Sequence, residues 1–355
     1  MTPRENLISV YRRQGCERIP VDFFLCPALQ KEYWRRYGEG PDYHDRFGFS
    51  GRGIDGPRLP EREVNFRRYY AADLKGDASF DPAWGIAHEP GGEEAHHFIR
   101  MRHPLASFDS LEQLQAYPWP DFAAADTSHM HGQAEELRRR GLAVHGWMAC
   151  TVWETAWYLR GMEPLMMDML EESPMATFVL DQVTEQAVVR ARAFARAGVD
   201  ILCLGDDVGM QSSLMIKAEC YRDWLKPRLA RVIAAARAEN PELLVWYHSC
   251  GHVLPVIDDL IEAGVNILNP IQPESMDFAE VHARWGDRLS FHGTLGTQRI
   301  MPFGTPADVR ATVHRNLSLA GKKGGLVCAP THMLEPEVPW ENIEAYLAAC
   351  REFEA

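Results

Sequence analysis

From about residue 143 onward the chain alternates short apolar runs with longer amphipathic ones. The short runs are LAVHGWMA (142–149), VDILCLGDD (199–207), LLVWYHSC (243–250), VNILNPIQ (265–272), LSFHGTLG (289–296) and GLVCAPTH (325–332). Each has the length and aliphatic character of a buried strand. Between them, TEQAVVRARAFARAG (184–198) and YRDWLKPRLARVIAAARAEN (221–240) repeat apolar residues at spacings of three and four, the stripe of a helix with one buried face. Strand and helix in strict alternation predict a parallel sheet. IPVDFFL (19–25) supplies a first strand, and an eighth is expected in the irregular region that follows. Residues 38–122, rich in Gly, Pro, Arg and His, read as a loop-rich insertion. The expected fold is α/β, a (β/α)8 TIM barrel forming a single domain over 1–355. A doubly wound sheet is the other architecture that fits the same alternation.

The polar residues collect where these strands end: Gly205-Asp206-Asp207, His248-Ser249-Cys250, Asn269-Pro270-Ile271-Gln272, His292-Gly293-Thr294 and Cys328-Ala329-Pro330-Thr331-His332. In a parallel barrel those ends open onto one face, where active sites are built. Residues i and i+2 of an extended strand point the same way, so His248 and Cys250 can both face the mouth. Thiolate and imidazole are zinc ligands, and Cys328 ends a later strand within plausible reach of the same point. The other reading of this stretch is a buried thiol pair with a histidine bonded to a backbone carbonyl.

Composition narrows the partners. A formal charge of −13 argues against nucleic acid or an anionic membrane surface, since both require a basic face. The opening MTPRENLISVYRRQGCERIP has no apolar core of signal-peptide length, and no segment reaches the roughly 18 apolar residues of a membrane span, so a cytoplasmic protein is expected. Eight cysteines spread over 355 residues are too sparse for a disulfide framework and are expected as thiols.

Taken together, GDDVGMQ (205–211), Lys226-Pro227, YHSCG (247–251), NILNPIQP (266–273), GTLGTQRIMPFGTP (293–306) and LVCAPTHMLEPEVPWENI (326–343) resemble the uroporphyrinogen decarboxylase-like superfamily. More narrowly they resemble its cobamide-dependent methyltransferase branch, a likeness that extends to PLASFDSLEQLQAYPWPD (104–121). The resemblance implies a (β/α)8 barrel with a His-x-Cys…Cys zinc motif, which maps onto His248, Cys250 and Cys328. It also implies methyl transfer to or from cobalt. Porphyrin decarboxylation is not expected, because RIPVDFFLCPAL (18–29) lacks the arginine-rich pattern that would hold the substrate's carboxylates.

Trp147, Trp153, Trp157, Phe23, Phe24, Trp246 and Tyr247 lie in or beside strand ends and suit an aryl methyl ether better than a short charged thiol. The favoured expectation is therefore O-demethylation of an aryl ether; a methylcobamide:thiol methyltransferase and a decarboxylase or lyase on the same barrel are the competing ones. Asp206, Asp207, Glu154 and His332 are the candidate proton donors or further ligands. Phe23, Trp153, Tyr247, Gln272 and His292 are the candidate substrate contacts. A base-off cobalamin site needs Asp-x-His-x-x-Gly, and Asp42-Tyr43-His44-Asp45-Arg46-Phe47 ends in Phe instead. The corrinoid is thus expected on a separate partner protein; a homodimer is compatible with this reading.

Overall fold

The structure, a computed structural model, describes residues 1–71, 73–91 and 99–353. Seven parallel strands form one curled sheet in the order β1 (Gly51–Ile54), β5 (Ala143–Ala149), β6 (Ile201–Gly205), β7 (Leu244–His248), β8 (Ile267–Asn269), β9 (Ser290–His292) and β10 (Leu326–Val327). A separate antiparallel sheet joins β2 (Ser79–Phe80), β3 (Ala87–Pro90) and β4 (Ile99–Arg102). The expected α/β barrel is the fold observed. Every strand from β5 on falls inside its predicted run, and β6 to β10 end at or just before the first residue of the polar tail, so the rest of each tail is free to shape the mouth.

Two elements differ from expectation. The expected eighth strand is β1, found within the irregular region. The run 19–25, by contrast, pairs at one point only, Leu25 with Leu334. Pro20 has no N–H to donate, and the Asp22 carboxylate is drawn to His292. The segment lies at the seam between the sheet edges: Cys26 N donates to Leu334 O, while the Phe23 ring meets Phe49 at 4.9 Å, just before β1.

Strand alternation divides the core in two. Ala143, Ile201, Cys203, Leu244, Trp246, Ile267, Val327 and Ala329 point into the barrel, where Leu7, Val10 and Tyr11 of the helix Pro3–Tyr11 pack against them and stopper the floor. The outward residues, among them Val144, Leu202, Leu204, Val245, Tyr247 and Leu268, meet the surrounding helices. Burial at about 25 cal/mol per Å² of apolar surface makes these two layers the main stabilising term.

Glycine on β1 makes the interior fit. A Cβ on Gly51 would sit 2.7 Å from His145 Nε2, and one on Gly53 would sit 2.7 Å from Trp147 Cδ1. The two rings of β5 occupy the space those side chains would need.

Candidate active site at the barrel mouth

Leu244, Trp246 and His248 form the inward series of β7, and Cys250 continues it two residues beyond the strand. Gly205 pairs with His248, and a Cβ there would stand 2.7 Å from His248 Cβ, so glycine permits the close approach of the two strand ends. His248 Nε2 lies 3.4 Å from Cys250 Sγ. The loop after β10 brings His332 beside them, its ring centroid 6.0 Å from that of His248. One ligand atom each from His248, Cys250 and His332 falls within 4.8 Å of the others.

Which nitrogen of His248 is bare can be worked out from its neighbours. Asn269 Nδ2 donates to the His292 backbone carbonyl at 2.9 Å, a group that can only accept, and this fixes the orientation of the amide. Asn269 Oδ1 therefore faces His248 Nδ1 at 2.5 Å, and that nitrogen carries the proton. In the neutral ring Nε2 is left with a lone pair directed at the cluster. Asn269 Nδ2 also reaches His292 Nδ1 at 2.8 Å, which makes His292 Nε2 the donor to Asp22 Oδ2 at 3.2 Å. Asp22, His292 and Asn269 thus form one chain of oriented hydrogen bonds behind His248.

Two acids stand close by, and a third does something else. Asp207 Oδ1 accepts from Cys250 N at 2.7 Å and lies 3.5 Å from His248 Nε2. Glu154 accepts from Asp207 N at 3.1 Å and from the Tyr158 hydroxyl at 2.7 Å; burial, and then the charge of Asp207, push its carboxyl up. Burial followed by Asp207 and Glu154 raises the Cys250 thiol in the same way. Asp206 is turned away from the cluster. Its carboxylate takes the amides of Val152 at 3.1 Å and Glu154 at 2.9 Å, capping the helix Trp153–Arg160 from the neighbouring strand. His332 keeps an open edge at the rim, yet the crowded protein on its inner side, and then His248, lower its imidazole and favour the neutral, ligating form.

Two cavities meet at this cluster. An inner one of about 220 Å³ is walled by Phe23, Phe24, Trp147, Trp246 and Met333, with His248, Asn269 and His292 at its polar side. Trp147 meets Trp246 at 5.5 Å and Phe24 at 5.8 Å, edge to face in both cases. An outer one of about 410 Å³ is bordered by Met210, Gln211, Cys250, Gln272, Gln298 and Glu335. Thr331, His332 and Met333 line both. Larger clefts of about 550 and 600 Å³ lie elsewhere, one at the floor beside Arg4 and Asp200, the other beside Pro57 and Phe122. The His–Cys–His donor cluster belongs to neither.

Of the residues singled out from the sequence, His248, Cys250, His332 and Asp207 come together, and Phe23, His292 and Gln272 line the cavities. Trp153 and Tyr247 are buried; they line neither of the two cavities. Cys328 is fully buried between the inward Val327 and Ala329, so alternation turns it outward, with Sγ 3.5 Å from Thr294 Oγ1 and its thiol pushed up to about 12 by burial. Sequence reasoning missed Asn269 and Asp22 as orienting groups, and Tyr158 beside Glu154. Asn269 at a strand end was the one available signal.

The His248–Cys250 pair has the spacing of ligands on a zinc-sized ion, and His332 offers a third donor within 4.8 Å. A tetrahedral ion bound at about 2.0–2.3 Å holds its ligands roughly 3.3–3.8 Å apart, and His248 Nε2 and Cys250 Sγ are 3.4 Å apart. The bare Nε2, with its Nδ1–H anchored by an amide oxygen, is the arrangement that metal-bound histidines adopt.

Known proteins resemble this chain in sequence and in fold. Residues 102–353 match the family model for uroporphyrinogen decarboxylase. A methylcobamide:CoM methyltransferase of Methanosarcina barkeri is 28% identical over 177 residues, which is 50% of this chain and 48% of that protein. Its counterpart from the Fusaro strain is 27% identical over the same length. The chain thus spans about half the length of the curated relatives it matches. A methyltransferase from Methanosarcina mazei has the same fold over 100% of both chains, with a TM-score of 0.67 and 17% sequence identity. By the extent of the family match, this chain belongs to the uroporphyrinogen decarboxylase family.

Proposed function

We propose that this protein is a zinc-dependent methyltransferase that moves a methyl group between a small substrate and a corrinoid held by a separate protein, and that the substrate is an aryl methyl ether. The observation that carries the reading is the meeting of the His248–Cys250–His332 cluster with an aromatic cavity of about 220 Å³. The likeness to methylcobamide:CoM methyltransferases supports the methyl-transfer class. His332 replaces Cys328 as the third donor in this proposal, because the Cys328 thiol faces Thr294 on the other side of the strand.

A bound zinc ion would supply a Lewis acid for the oxygen or sulfur of the substrate. The chain's own residues do the remainder. His248 is held by Asn269 with Nε2 bare, and Cys250 is fixed through its backbone amide by Asp207. Trp147, Trp246 and Phe24 hold the aryl ring and exclude water. When the methyl carbon leaves the ether, its oxygen keeps the bonding pair and needs a proton; Glu154, raised by burial and accepting from the backbone amide of Asp207, is the nearby carboxyl that would hold one.

The test is a screen of methoxyarenes and simple thiols with zinc-loaded protein and a reduced or methylated corrinoid carrier, followed through cobalt absorbance. Methoxyarene-dependent methylation of reduced cobalt is the expected result. Demethylation of methyl-cobalt by thiols alone would replace the ether by a thiol. Full activity of a metal-free preparation would overturn the zinc reading and favour a lyase.

A further inference from the structure

We propose that the mouth selects against acidic substrates: the inner cavity takes an uncharged monocyclic methoxyarene and rejects its carboxylate- or sulfonate-bearing analogues. This inference rests on the function proposed above and narrows its substrate class. Among the described residues, neither the inner nor the outer cavity is lined by a single lysine or arginine. Arg299, next to Gln298, is exposed and lines neither. Nearby Arg52 has its guanidinium on Asp45 and the Gly51 carbonyl.

Three polar side chains of the inner cavity, His248, Asn269 and His292, have their side-chain N–H groups already engaged. The Nδ1–H of His248 is on Asn269, the Asn269 amide is on His292, and the Nε2–H of His292 is on Asp22. Carboxylates stand behind them, Asp22 behind His292 and Asp207 behind the cluster. The reacting oxygen of a substrate turns to His248, Cys250 and His332, so an acid group elsewhere on the molecule is left against aromatic walls without a counter-charge. Burying an unpaired carboxylate is strongly unfavourable, whereas an uncharged ring gains from the same walls. The net charge of −13 adds a long-range repulsion of the same sign.

The experiment titrates zinc-loaded full-length protein at pH 7 with two matched pairs, reading tryptophan fluorescence because Trp147 and Trp246 line the cavity. One pair is 2-methoxyphenol and 4-hydroxy-3-methoxybenzoate; the other is 2-mercaptoethanol and 2-mercaptoethanesulfonate. The uncharged member should bind at least about tenfold more tightly, about 1.4 kcal/mol. Met333→Arg, at the wall shared by both cavities, should move that ratio toward the anion by a similar factor with an unchanged unfolding midpoint. An anion that binds the unaltered protein as tightly as its neutral partner overturns the proposal, and so does absence of binding by all four. Binding of thiols alone, with the neutral one preferred, leaves charge selection standing and removes the aryl ether. Equal binding of both methoxyarenes does the reverse.

Discussion

Asn269 decides which face His248 presents, although it is not one of the proposed zinc donors. Asn269→Leu removes the acceptor from Nδ1 and frees the ring to rotate or change tautomer. Zinc affinity, measured by competition with a chromogenic chelator, should fall about 10–100-fold. Asn269→Asp keeps an acceptor toward His248 and should lose less. Cys250 adds a pH dependence of definite sign. Its thiol is raised by burial and by Asp207 and Glu154, so it is protonated at neutral pH and must release that proton on binding zinc. Apparent affinity should therefore climb as pH rises, by about tenfold per unit while the thiol stays protonated, and Cys250→Ser should abolish the slope. At this scale the sequence showed the His-x-Cys pair plainly, because strand alternation is a local rule. Cys328 was beyond its reach: which parity a two-residue strand adopts depends on its neighbours in the sheet, and here Val327 and Ala329 claim the interior.

At the scale of elements, Asp206 links a strand to a helix rather than to the chemistry. Removing its carboxylate by Asp206→Ala leaves the first amides of the helix Trp153–Arg160 buried and unpaired. A loss of about 2–3 kcal/mol in denaturant unfolding is expected, with a smaller loss for Asp206→Asn. Retention of full stability together with loss of turnover would instead assign Asp206 a chemical part. β1 offers a second test. Gly53→Ala places a methyl against the Trp147 ring, so the ring must shift toward the inner cavity. Stability should drop by about 1–3 kcal/mol, and fluorescence titration should show weakened binding of methoxyarenes while zinc content is kept. The strands after residue 143 were legible because aliphatic runs of that length have few other uses. β1 was not: GRGI carries no apolar pattern, and its glycines are explained only by the rings of the next strand in the sheet, His145 and Trp147.

For the whole molecule, His145 sets an acid limit on stability. It sits in the barrel interior with Nε2 unpartnered, and burial lowers its imidazole from 6.5 to about 4. The unfolded chain therefore binds a proton that the folded chain refuses between those values. Stability attributable to this group is complete above about pH 6.5 and is lost as pH falls toward 4, on the order of 3 kcal/mol in all. His145→Gln should flatten the dependence of the unfolding midpoint on pH across that window. The charge of the molecule, readable from composition, argues against some classes of partner but says nothing of the mouth; that no lysine or arginine among the described residues lines the two cavities emerges only in three dimensions.

The stoppered floor has a further effect. Leu7, Val10 and Tyr11 fill the barrel from below, while the inner cavity and the outer groove share a wall of Thr331, His332 and Met333 at the mouth. If small molecules pass that wall, they use the same rim that a methyl carrier must approach to reach the His248–Cys250–His332 cluster. Under the function proposed above, the small substrate would load first, the carrier would cover it, and the demethylated product would leave after the carrier departs. Excess carrier should slow turnover instead of saturating it, a signature visible in steady-state rates measured against carrier concentration.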